Sequence, residues 1–274
     1  MTTGPIRSTD LPPRGGPAPS ILTKAFLLLE CFSPEDRVLT LTELSRRSGL
    51  AKSTVHRVLA RLTSLGIVEP HDRGYRIGTR LFAITTAMPA LDIRQLCLPL
   101  LARLQAWSGT VVHLGVLRGV HVVFLERLGA EPTDRPSPMP GDLLPAHCTA
   151  LGKSLLAWLT VEERDAILPE PLPSMSPVTV TDRTVLEDQL AAIRRGSTAL
   201  DLGEWDTGVF SAARPLVVHR RPVGAVAVTV PTPERLTESL RAGLHRTAQL
   251  LGETLRAHID AGEAGWHPVE DVRK

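Results

Sequence analysis

Apolar residues recur every third or fourth position through 21–32 (ILTKAFLLLECF), 41–50 (LTELSRRSGL) and 53–62, and each run predicts a helix. In the third run Val55, Val58, Leu59 and Leu62 fall within one stripe about 100° wide, an ordinary core-facing surface. The opposite arc carries Ser53, Thr54, Arg57 and Arg61, with His56 at its edge and no carboxylate. A merely solvated helix usually mixes acids with bases, because opposite charges four residues apart support each other. Thr40 and Glu43 have capping-box spacing ahead of the second helix, and Gly49 offers its stop. One tight turn at Gly49-Leu50 then leads to the third, which describes a helix-turn-helix. The segments GIVEP, HDRG and YRIG read as a strand, a turn ending at Gly74 and a second strand, together a wing.

Beyond the wing, residues 80–109 are apolar on more than one face until Asp92. A linker helix is expected over 80–92, buried against the second domain or against another copy of the chain. Pro89 and Pro99 interrupt the pattern and fit helix starts better than helix interiors. Two β-rich runs, 110–117 and 120–127, form a plausible hairpin around Arg118-Gly119, and a loop with four prolines follows up to Pro140. PAHCTALGKSLLAWL opens a helix, TVEERDAIL continues as another, and 185–197 is amphipathic with Gly196 as its stop. ALDLGEWDTGVFSAARPLVV and PVGAVAVTVP supply further strands, and 235–259 is a long closing helix. Strands grouped at both ends with helices between and after them predict an α+β fold, an antiparallel sheet backed by helices.

Charge sharpens the division. Residues 18–80 hold ten Lys/Arg against six Asp/Glu, whereas the whole chain of 274 residues is only +2. The basic N-terminal domain thus points to a polyanion partner, and the remainder, 81–274, which holds the larger domain 93–261, is mildly acidic. Arg57 is the best candidate for a bidentate guanine contact; Lys52, Ser53, Thr54, His56 and Arg61 share its helix, and Arg73 and Tyr75 sit in the wing. Pro/Gly/Ser-rich residues 1–19 read as a disordered tail without an apolar signal core, and 262–274 as a second tail. No apolar run is long enough to span a membrane. Three widely spaced cysteines, Cys31, Cys97 and Cys148, suggest no disulfide framework and a reducing cytoplasm.

At this point the order of the chain from roughly 20 to 260 resembles the IclR family of bacterial transcriptional regulators. The anchors are GLAKSTVHRVLARL, YRIGTRLF, PAHCTALGKSLLAWL, GEWDTGVFSAARPLVV and PVGAVAVTVPTPERL, in register. The resemblance implies a winged helix-turn-helix (20–79) joined to a GAF-like effector domain. It also implies dimers or tetramers on palindromic double-stranded operators, with small organic acids or aromatics as effectors and repression the favoured mode. Free backbone N–H groups near Ala150 and Leu151 open a helix and suit an anion; by similarity they hold an effector carboxylate. Asp201 and Ser211 match polar pocket positions, although the family often has Cys at the latter, and Glu204 precedes Gly208 in an E-x-x-x-G pattern. Val228 and Val230 align with two pocket serines of well-studied members and, at i and i+2, share one face of a strand. Two valines there imply a less polar pocket and an aromatic or longer-chain acid.

Enzyme readings are weaker. TALGKS lacks the first glycine of a phosphate loop, its place being taken by His147. Cys148 beside His147 near a helix start suggests a nucleophile in a small-molecule enzyme with a basic appendage, but no orienting partner is visible. His113 and His121 lie on adjacent β-runs without a carboxylate at ligand spacing, so no metal and no cofactor are expected.

Overall fold

The computed structural model describes residues 20–33, 35–130 and 137–262. The tail 1–19, nearly all of the tail 262–274 and part of the proline loop lie outside the described residues. The chain divides between Met88 and Pro89 into two compact units.

The first unit contains α1 (Ile21–Leu29), α2 (Leu41–Ser48), α3 (Lys52–Ser64), β1 (Val68–His71), β2 (Gly74–Ile77) and α4 (Thr79–Thr85). Glu43 and Thr40 close the capping box on α2, and Gly49 ends that helix at φ 70°, a left-handed conformation that glycine adopts without strain. Ser45 Oγ donates to the Leu50 carbonyl at 2.7 Å and so fixes the turn into α3. Val55, Val58, Leu59 and Leu62 bury the predicted stripe against Leu28, Leu39, Leu44 and Val68. β1 and β2 pair antiparallel from Val68↔Ile77 to His71↔Gly74, with Asp72-Arg73 at the tip. Gly74 is required here: a Cβ would stand 2.3 Å from the Leu39 carbonyl oxygen.

The second unit begins with α5 (Pro89–Ser108), followed by β3 (Val111–Arg118), β4 (His121–Leu128), β5 (Leu143–Pro145) and α6 (Ala150–Leu156). Then come α7 (Val161–Ile167), α8 (Arg183–Arg194), β6 (Ala199–Leu202), β7 (Phe210–Val218), β8 (Arg221–Val230) and α9 (Glu238–Asp260). The six strands form one antiparallel sheet in the order β5-β4-β3-β8-β7-β6. One face packs on α5 and α9 through Leu101, Leu104, Leu244 and Leu251; the other packs on α6 and α8 through Leu151, Leu155, Leu186 and Leu190.

Two expectations need correction. The helix expected over 80–92 is two helices, α4 ending at Thr85 and α5 starting at Pro89. Pro89 does start a helix, but Pro99 lies inside α5, on an exposed position. Gln95, whose carbonyl loses its N–H partner to Pro99, is an exposed residue as well, so water can serve that carbonyl and the cost of an interior proline is lowered.

Candidate effector pocket and nucleic-acid interface

In the first unit, Lys52, Ser53, His56, Arg57 and Arg61 are exposed on α3, and Thr54 is half-buried. Several cations of this region already have structural work. Arg47 binds Asp36 at 2.7 Å and the Cys31 carbonyl at 3.3 Å, Arg76 pairs with Glu69 at 3.0 Å, and Arg80 donates to the Leu65 carbonyl at 2.9 Å. Among the described residues, Arg46, Lys52, Arg57, Arg61 and Arg73 make no side-chain hydrogen bond or ion pair. These cations are available to phosphates and bases. Tyr75 is placed differently from Arg73: its backbone bridges to Leu39, and its half-buried ring packs on the core.

In the second unit, a cavity lies between the sheet and α6. It is small, about 20 Å³, and partly open to solvent. Its floor is a row of polar side chains in register across three strands: Asp201 opposite Ser211, and Ser211 opposite Thr229. The Ser211 and Thr229 hydroxyls are 3.0 Å apart. Thr149, Ala150 and Leu151 close the cavity at the start of α6, and Phe124, Leu144, Trp205 and Val209 give it apolar walls. Thr149 caps α6 by accepting from the Gly152 N–H at 3.2 Å. Gly152 lies against the preceding 3-10 turn, where a Cβ would stand 2.2 Å from the Ala146 carbonyl oxygen. The glycine in TALGKS thus serves close backbone packing.

Asp201 is 2% exposed, and its Oδ1 accepts from the N–H groups of Gly203 (3.1 Å) and Glu204 (2.7 Å). Burial pushes its pKa up from 3.8 to about 7, against the lowering effect of the Glu204 N–H and of Lys153. Glu204 does not line the cavity. It pairs instead with the buried Lys153, whose Nζ also donates to Gln189 Oε1 at 3.1 Å. Sequence reasoning missed Lys153; a lone lysine among apolar residues of a predicted core helix was the available signal, since a buried ammonium needs a partner.

Val228 and Val230 require a correction. Both join the cluster under α5 and α9, on the face away from the cavity. The cavity-facing residues of β8 are Ala227 and Thr229. A strand alternates faces with period two, so a one-residue slip in alignment exchanges the entire set. The floor accordingly keeps a hydroxyl where the valines implied none.

The cysteine reading also fails. Cys148 is fully buried, burial pushes its thiol pKa up, and its Sγ points to the Pro145 carbonyl at 3.7 Å. His147 is bonded through Nε2 to the Pro173 carbonyl at 2.9 Å, not to the thiol. A nucleophile needs the opposite environment, one that favours thiolate. Among the described residues no cluster of three or more His, Cys, Asp or Glu is arranged to hold a metal.

A helix-turn-helix with free cations on its second helix, together with a sensor unit enclosing a small polar-floored cavity, defines a DNA-binding regulator that responds to a small molecule. The family described as the bacterial transcriptional regulator IclR C-terminal domain matches residues 85–256, and the IclR helix-turn-helix domain matches 21–72. The HTH-type transcriptional regulator XynR of Escherichia coli is 31% identical over 237 residues, covering 85% of this chain and 94% of that protein. The acetate operon repressor of Salmonella typhimurium is 28% identical over 228 residues, covering 79% and 83%. Among solved structures, an IclR homolog from Microbacterium hydrocarbonoxydans complexed with 4-hydroxybenzoate has a TM-score of 0.77 and 31% identity, covering 87% of this chain and 100% of that one. The chain belongs to the IclR family of bacterial transcriptional regulators. It is a ligand-responsive DNA-binding regulator and not an enzyme.

Proposed function

We propose that the protein is a cytoplasmic repressor that binds paired operator half-sites as a dimer or tetramer and senses a small aromatic carboxylic acid. The cavity carries this reading. The amides of Ala150 and Leu151 receive the effector carboxylate, Asp201 and Ser211 orient it, and the small cavity widens to take the ring between Phe124, Leu144 and Trp205. With its pKa near 7, Asp201 is protonated in a substantial fraction of molecules at neutral pH and then donates to the carboxylate instead of repelling it. The 4-hydroxybenzoate held by the Microbacterium relative supports an aromatic acid, and the name of the Salmonella relative supports repression. Exposed apolar side chains on α1 and α4, Leu22 (71%), Phe26 (64%) and Phe82 (74%), support self-association.

On DNA, Arg57 reads a base, Lys52, Ser53, Thr54, His56 and Arg61 flank it, and Arg73 in the wing neutralises phosphate. Tyr75 contributes by shaping the wing. Fluorescence anisotropy against DNA from upstream of the gene, with a scrambled control and a salt series, tests this. Wild type is expected to favour the cognate DNA, and Arg57→Ala to lose mainly that preference. Equal, weak binding of both DNAs by both proteins refutes the operator-reading role.

A further inference from the structure

The sensor unit has a second cleft, at the outer edge of β7. β6 covers that edge only from Phe210 to Ala213, so from Arg214 onward no strand lies beside it. A cleft of about 330 Å³ opens there between β7, α9 and Trp158, which follows α6. It shares no lining residue with the effector cavity.

Its polar groups are donors. Arg214 is half-buried, and among the described residues no carboxylate pairs with it. Its Nη1 donates to the carbonyls of Gly196 (2.7 Å) and Ser197 (2.9 Å), just past α8, which fixes the guanidinium in place. Its Nη2 lies 2.6 Å from His245 Nδ1. A guanidinium can only donate, so Nδ1 accepts and the imidazole proton sits on Nε2, free for a ligand. Burial and the charge of Arg214 both lower the pKa of His245, in keeping with a neutral ring. Arg256 lines the same cleft at an exposed position without an ion pair, and Arg194 lies 3.9 Å over the ring of Trp158. The lining residues include one carboxylate, Glu253, so the three guanidiniums outnumber it by two. The indole N–H of Trp158 is buried with no hydrogen-bond partner among the described residues, which costs free energy unless something accepts from it.

Gly252 points the same way. It sits inside the 23-residue helix α9, where glycine weakens a helix relative to alanine. Close packing explains Gly243 in that helix, since a Cβ there would stand 2.4 Å from the Trp107 ring. At Gly252 a Cβ would meet nothing nearer than the Val217 carbonyl oxygen at 3.5 Å, an ordinary contact. The missing side chain therefore keeps the cleft open.

We propose that this cleft binds a small phosphate monoester, at a site separate from the effector cavity. A phosphate group brings three acceptor oxygens and close to two negative charges, which match the converging donors and the excess of guanidinium charge. Arg214 and His245 Nε2 hold it from two sides and Arg256 from the rim, while the carbon body lies against Pro215 and Val217 in the space over Gly252. A carboxylate supplies two oxygens and a single charge.

Isothermal titration of the full chain with ribose 5-phosphate, inorganic phosphate and succinate tests the site. Ribose 5-phosphate is expected to bind about tenfold or more tightly than succinate, and more tightly than inorganic phosphate. Arg214→Gln is expected to weaken it by about tenfold or more. Because Arg214 also holds the chain after α8, two further variants guard against a folding defect. Arg256→Ala, at an exposed position, is expected to weaken binding severalfold, and Gly252→Leu, which fills the cleft from the helix, to abolish it. Unchanged affinity in both of these variants places the ligand elsewhere and overturns the site. Succinate binding as tightly as ribose 5-phosphate overturns the phosphate assignment in favour of any dianion. Inorganic phosphate binding as tightly as the ester overturns the role of the carbon body. Binding of none of the three overturns the proposal outright.

Discussion

Replacing Asp201 with asparagine removes a buried charge while keeping an oxygen for the N–H groups of Gly203 and Glu204. The native carboxyl has its pKa raised from 3.8 to about 7 by burial. Between those values the folded chain holds a proton that the unfolded chain releases, so the group's contribution to stability is fully present below 3.8 and is lost as pH rises through about 7. The full loss corresponds to about 4 kcal/mol at ~1.36 kcal/mol per pH unit. Roughly 2.5 kcal/mol of it falls between pH 5 and pH 8. The amide does not titrate, so Asp201→Asn should gain about that much on wild type across this interval, whatever constant offset its own burial adds. Urea unfolding followed by tryptophan fluorescence reads the correct unit, because Trp107, Trp158 and Trp205 lie in the second unit and the DNA-binding segment up to Met88 contains no tryptophan. A difference between variant and wild type that stays flat from pH 5 to pH 8 would show that Asp201 ionises normally and that its burial argument is wrong.

Three further outcomes are expected. Gly152→Ala places a methyl 2.2 Å from a backbone oxygen that no side-chain rotation can relieve, so it should destabilise the sensor unit by about 1–3 kcal/mol or more; an unchanged melting temperature contradicts the close packing of α6. Lys153→Ala strands Glu204 as a buried unpaired carboxylate and should cost about 3–5 kcal/mol, much of it recovered when Glu204→Gln is added, as a double-mutant cycle by urea unfolding will read. Arg73→Ala, at the exposed wing tip, should weaken cognate and scrambled DNA alike and lower the slope of log affinity against log salt by about one; loss confined to the cognate DNA would make Arg73 a base reader instead.

The winged helix-turn-helix was legible in the chain itself because its signals are local. The stripe of Val55, Val58, Leu59 and Leu62, the Thr40–Glu43 capping box and the Gly49 stop act within a few residues of each other, and all form as read. The antiparallel α+β character of the sensor unit followed from the spacing of β-rich runs in the same way, and the helix start at Ala150 and Leu151 from its own local pattern, whereas Asp201 and Ser211 were placed at the pocket only through the family resemblance. Which face of β8 meets the cavity was not local. RPVGAVAVTV is buried almost throughout, so its hydrophobic pattern carries no alternation to mark one side, and only pairing with β3 and β7 turns Thr229 toward the cavity and Val228 away. The same holds for charge. Lys153 and Glu204 are far apart in sequence, and Arg47, Arg76 and Arg80 look as basic as Arg57 until folding gives each a partner. Sequence alone determined most of the elements, since periodicity, caps and turns are properties of neighbouring residues, and five motifs in register pointed to the family. The tertiary structure decided which side chains share a cavity and which cations remain free for DNA, because burial and pairing exist only once distant segments meet.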